Sequence, residues 1–138
     1  MIKTRTAAIL AALIALAAPA SGQTPTTCTP AGAGKYCETR FRDIMSTLGT
    51  DAAGQPISLT VAGKRDTPAN TTDALAYVGS MMMMLEPAST QEGRAAVMSR
   101  LIAGAGGPGG RGHARFGAYD LTLRFEGADL TFYVDRRK

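Results

Sequence analysis

The chain reads as a small α+β domain, an antiparallel sheet of about three strands with a C-terminal β-hairpin, covered on one face by about three helices. Three observations predict this. Tyr119, Leu121, Leu123 and Phe125 alternate with polar residues, as do Leu130, Phe132 and Val134, on either side of Gly127-Ala128. Elsewhere apolar residues recur at three- and four-residue spacing in three separate stretches, the period of one buried helical stripe. The order helix, strand, helix, helix, hairpin also lacks the regular strand–helix alternation of a wound parallel sheet.

The first residues read as a secretory leader over 1–20. Lys3 and Arg5 precede an uncharged run from Ala7 to Ala18, and Ala18-Pro19-Ala20 supplies small residues for cleavage after Ala20 or Gly22. The run is shorter than the roughly 20 apolar residues a membrane span needs. The 138 residues less the first 20 leave 118, enough for a single domain over 21–138. The whole chain has 15 basic and 11 acidic residues, and loss of Lys3 and Arg5 leaves 13 against 11. So mild a balance does not point to nucleic acid, which usually meets a concentrated basic face. The preference for Ala, Gly and Arg over Lys fits a GC-rich bacterial genome, and with the leader gives a periplasmic or secreted protein.

Cys28 and Cys37 are the two cysteines of the chain, and in an oxidising compartment they read as one disulfide. From Tyr36 to Leu48 the spacing of Phe41, Ile44, Met45 and Leu48 predicts a helix ending at Gly49, with Cys37 on its apolar face. Ile57, Leu59 and Val61 alternate with Ser58, Thr60 and Ala62 in a short strand opened by Pro56. A second helix is expected from Asn70-Thr71-Thr72 to about Leu85, with Leu75, Val78, Met82 and Leu85 inward. Ser89-Thr90-Gln91-Glu92 is a capping-box pattern for a third, with Val97, Met98, Leu101 and Ile102 on its apolar side and Gly104 as its stop.

Residues 104–117 hold seven glycines and are expected to form a flexible loop. In the hairpin, a two-residue turn at Gly127-Ala128 sets Phe125 opposite Leu130, Leu123 opposite Phe132 and Leu121 opposite Val134. It also sets Asp120 opposite Asp135, an unfavourable pair. The strand at 57–62 is expected to join the hairpin as a third. Thr122, Arg124, Glu126, Thr131 and Tyr133 then face solvent or a partner.

Little in the chain spells out chemistry. His113 is the single histidine, so any hydrolase built on a His-activated nucleophile runs through it. One histidine and an oxidised cysteine pair fall short of the three protein ligands a catalytic zinc usually takes. The glycines follow a helix and lack the Lys-Ser/Thr pair of a phosphate-binding loop. Met81-Met82-Met83-Met84 cannot all face one core at 100° per residue. Met82 belongs inward and Met83 outward, and Met81 and Met84 with Met45 or Met98 are conceivable Cu(I) ligands.

These readings give an exported, non-catalytic binding module without a cofactor, engaging another envelope or secreted protein as inhibitor, immunity protein or accessory subunit. Arg111, His113 and Arg115 of the glycine-rich segment and the exposed Met83 are its expected binding residues. A small-ligand or Cu(I) carrier is the alternative, and a small hydrolase using His113 the third.

Overall fold

A computed structural model describes residues 26–138, so the leader expected over 1–20 lies outside the described residues. Seven strands form one antiparallel sheet: β1 (Thr27–Ala31), β2 (Gly34–Phe41), β3 (Ile44–Thr50), β4 (Pro56–Lys64), β5 (Arg111–Phe116), β6 (Tyr119–Glu126) and β7 (Asp129–Arg136). Two helices, α1 (Pro68–Leu85) and α2 (Gln91–Ala105), connect β4 to β5. The spatial order is β1-β2-β3-β4-β7-β6-β5, so the helical excursion returns the chain to the far edge and it then winds back to pair with β4. This overturns the expected small sheet of three strands under three helices: among the described residues the sheet dominates, and two helices cover part of one face.

The C-terminal hairpin has the register read from its alternation, with Phe125 opposite Leu130, Leu123 opposite Phe132 and Leu121 opposite Val134. Gly127 sits at φ +58°, as the first position of a type II′ turn requires. The strand at 57–62, observed as Pro56–Lys64, lies beside it and pairs Leu59 with Val134 and Val61 with Phe132. Leu59, Val61, Leu121, Leu123, Leu130, Phe132 and Val134 meet Ala74, Val78, Met82 and Leu85 of α1 and Leu101 of α2 in one core.

The helix expected from Tyr36 to Leu48 is instead the end of β2, a turn at Arg42-Asp43 and most of β3. A two-residue hairpin turn separates the inward residues that flank it by three positions, as a helical stripe does. Phe41 and Ile44, paired across this turn, therefore imitate an i, i+3 couple. Ser46 hides the strand alternation further, because it occupies a buried position as a polar residue. Its hydroxyl is 2.7 Å from Tyr77 Oη on α1, which satisfies both groups. Arg42 stands where glycine would advertise the turn, at φ +53°. The disulfide therefore does not pin a helix. Cys28 and Cys37 lie at disulfide distance as directly opposed residues of β1 and β2, with Cα atoms 4.1 Å apart.

Both remaining helices start a little differently from expectation. Thr67 caps α1, accepting from Asn70 N, with Pro68 as the first helical residue. Thr90, not Ser89, caps α2, accepting from Gly93 N, while the Ser89 hydroxyl donates to Glu86 O. Gly104 lies inside α2, and Gly106 closes it.

The segment 104–117, expected to be a flexible loop, is closely packed against α2 instead. A Cβ on Gly112 would fall 2.0 Å from Leu101 O, and one on Gly104 would fall 2.5 Å from Gly112 Cα. The backbones of α2 and β5 are thus in direct contact, and glycine is needed for that approach rather than for freedom. The following turn is held too. Glu86 accepts from Ala118 N at 2.8 Å, and the Arg137 guanidinium donates to Gly117 O.

Candidate functional site

Residues 111–116 alternate exposed and buried. Gly112, Ala114 and Phe116 face the helices, while Arg111, His113 and Arg115 point to the opposite side of the sheet. Three of the four expected binding residues are thus brought together as a row on one edge strand. Their neighbours on β6 are Arg124, Thr122 and Asp120. Met83 is not among them: it is 55% exposed on α1, in the helical layer on the other side of the sheet.

The His113 ring contacts the Thr122 hydroxyl, with Nδ1 3.0 Å from Oγ1. No carboxylate hydrogen-bonds the ring among the described residues. Arg111, Arg115 and Arg100 form no ion pair among the described residues. Arg100 of α2 joins His113, Ala114, Arg115, Asp120, Leu121 and Thr122 around an open groove of about 510 Å³ along this edge. Arg100 and Arg115 face a single carboxylate there, so the groove is net positive.

A second concavity of about 410 Å³ lies toward the opposite end of the same strands, where Arg40, Lys64, Arg124, Thr131 and Tyr133 converge above Met45 and Ala62. Its charges are largely spent on one another. Lys64 Nζ is 2.6 Å from Asp129 Oδ1, and Arg124 Nη2 is 2.6 Å from Glu126 Oε2. The hydrogen bond to Asp129 raises the Lys64 pKa above its ordinary value. Arg124, Thr131 and Tyr133 were legible from the hairpin alternation. Arg40, Met45 and Lys64 were not, because the apolar spacing around Arg40 and Met45 imitates a helix and Lys64 sits in a polar, loop-like stretch.

The methionine run divides as its angular spacing predicts, with Met82 buried and Met83 the most exposed. It does not assemble the conceived Cu(I) ligand set through Met45, whose sulfur accepts from Arg40 Nη2 at 3.7 Å on the helix-free side. Met98 packs toward Met82 and Gly79 in the space between α1 and α2. With this geometry in view, the chain has no match among protein-family models, curated proteins or solved structures.

Among the described residues no helix is long and apolar enough to cross a membrane. The cysteine pair at disulfide distance fits an extracellular or periplasmic protein.

Proposed function

We propose that this protein is an exported, non-catalytic binding module that engages another envelope or secreted protein through the helix-free side of its sheet. The observation that carries this reading is the row Arg111, His113, Arg115, presented at fixed spacing by a strand locked beneath α2. Guanidinium groups without internal partners, on a rigid element, are ready to pair with a partner's carboxylates at little ordering cost. The test is affinity capture by oxidised mature protein from envelope and secreted fractions, against an Arg111→Glu/Arg115→Glu control. One stoichiometric protein, lost with charge reversal, is the expected result. Deleting 105–112 is not a usable control, because it removes part of the strand on which α2 packs.

A small-ligand carrier is the second reading, favoured by the cleft beneath Arg40, Arg124 and Tyr133. Tyr133→Ala would abolish such binding while leaving protein capture intact.

A further inference from the structure

The two edges of the sheet differ in what their backbones offer, and the difference follows from hydrogen-bond phase. In an antiparallel ladder, alternate residues bond to the neighbouring strand and those between direct N–H and C=O the other way. Phe125 N donates to Gly110 O at 3.0 Å, and Phe116 and Tyr119 close a two-residue turn. Both fix the same phase: Gly112, Ala114 and Phe116 bond to β6. The N–H and C=O of Arg111, His113 and Arg115 therefore face away from β6, and no backbone hydrogen bond meets them among the described residues; the Arg111 C=O lies against Gly104 of α2, where a Cβ would fall 2.8 Å from it, and those of His113 and Arg115 are open. On β1 the same rule, set by the Ala31–Gly34 closing pair, turns Cys28 and Pro30 outward. Pro30 has no N–H to give, so that edge is blunted against any added strand.

The geometry points to β5 as a docking edge for an extended acidic segment of the partner, added as an eighth antiparallel or parallel strand. This rests on the protein-binding reading and specifies its mode. A strand laid on β5 meets three outward N–H groups and the two open C=O groups of His113 and Arg115, and its alternate side chains fall beside Arg111, His113 and Arg115. Arg100 lies over the same groove, with Asp120 as its single carboxylate. Glutamate or aspartate at every second position satisfies that row. Like-charged side chains often protect edge strands, and here they do protect β5 from a second copy of itself. They do not protect it from an acidic strand, which they select.

The probe is a synthetic peptide of alternating glutamate and threonine, added to oxidised mature protein while amide exchange is followed residue by residue. Its controls are the same peptide N-methylated at alternate amides, in two versions that between them block either edge, and a lysine-for-glutamate peptide. The expected result is at least tenfold slower exchange at the Arg111, His113 and Arg115 amides with the glutamate peptide. The lysine peptide and one N-methylated version should have no effect, and Arg111→Glu/Arg115→Glu should reverse the glutamate-over-lysine preference. No slowing, or equal binding of all glutamate peptides, overturns the docking edge. So does slowing that depends on protein concentration alone, which would make a second copy the occupant. A natural partner whose capture survives charge reversal would also overturn it while leaving a protein-binding module standing. Failure to capture any partner would remove that broader reading instead.

Discussion

At one end of the sheet β1 is exposed along its whole length, and a covalent bridge to β2 holds it. At the other end β5 lies under α2, with glycine backbone pressed against helix backbone. The first edge needs the disulfide because β1 contributes no buried side chain. The second needs no bridge, because Ala114 and Phe116 enter the core beside Leu101 and Leu121. A staple and a packed interface thus solve one problem in different ways. Only the packed edge leaves a regular backbone array open to a partner.

The comparison breaks most readily at Gly112. Replacing it with alanine puts a methyl 2.0 Å from Leu101 O, so α2 must move off β5. Urea unfolding should show a loss of about 3 kcal/mol, the upper part of the usual range for overpacking. A loss under about 1 kcal/mol would mean that the contact is loose.

Next in size is the disulfide. Closing a loop of roughly ten residues is worth about 2.7 kcal/mol by chain-entropy arithmetic. Cys28→Ser/Cys37→Ser should lose up to that amount, with faster amide exchange confined to β1 and β2. Equal acceleration in β5 and β6 would show that the two edges are not independent.

The turns sharpen the contrast at about 1 kcal/mol. Gly32, Gly117 and Gly127 open three two-residue turns at positive φ, and Arg42 opens the fourth. A left-handed conformation costs a non-glycine residue about 1–2 kcal/mol. Arg42→Gly should therefore stabilise by at most about 1 kcal/mol, since it also loses an exposed ion pair to Asp73 and a guanidinium contact 5.2 Å over the Phe41 ring. Gly127→Ala should destabilise by a similar amount, since open space surrounds it and conformation alone is at stake.

The smallest effect is electrostatic. Asp51 accepts from Gln55 N and Ala53 N and pairs with Arg136 at 2.9 Å, and these contacts, the Gln55 bond foremost, hold its pKa below the ordinary aspartate range. A carboxylate depressed in the folded state stabilises above its unfolded pKa and loses that contribution as pH falls through the folded value. Asp51→Asn should flatten that part of the acid unfolding profile. An unchanged profile would place the acid sensitivity elsewhere.

The same contrast shows why parts of the fold were legible and others were not. The C-terminal hairpin announces itself because a glycine turn separates two clean alternations. The β5–β6 turn uses the same Gly-Ala pair, and Gly112, Ala114 and Phe116 alternate with Arg111, His113 and Arg115 just as regularly. Small residues on the inner face concealed it, since glycine density resembles flexibility until the helix pressing on it is seen. Cys28 and Cys37 are equidistant from Gly32-Ala33, a symmetry that marks a cross-strand pair. At Arg42-Asp43 no glycine marks the turn, and a polar inward residue, Ser46, breaks the pattern. Of the candidate site, the chemistry of Arg111, His113 and Arg115 was readable. Their common face and outward backbone were not, because both depend on the residues forming a strand.

The most direct test of the account is residue-resolved amide exchange of the free, oxidised protein across 107–116. It predicts alternation: slow exchange at Gly112, Ala114 and Phe116, which bond to β6, and fast exchange at Arg111, His113 and Arg115, which face outward. Uniformly fast exchange through the segment would contradict it, returning these residues to a mobile loop and removing the rigid edge on which the proposed binding rests.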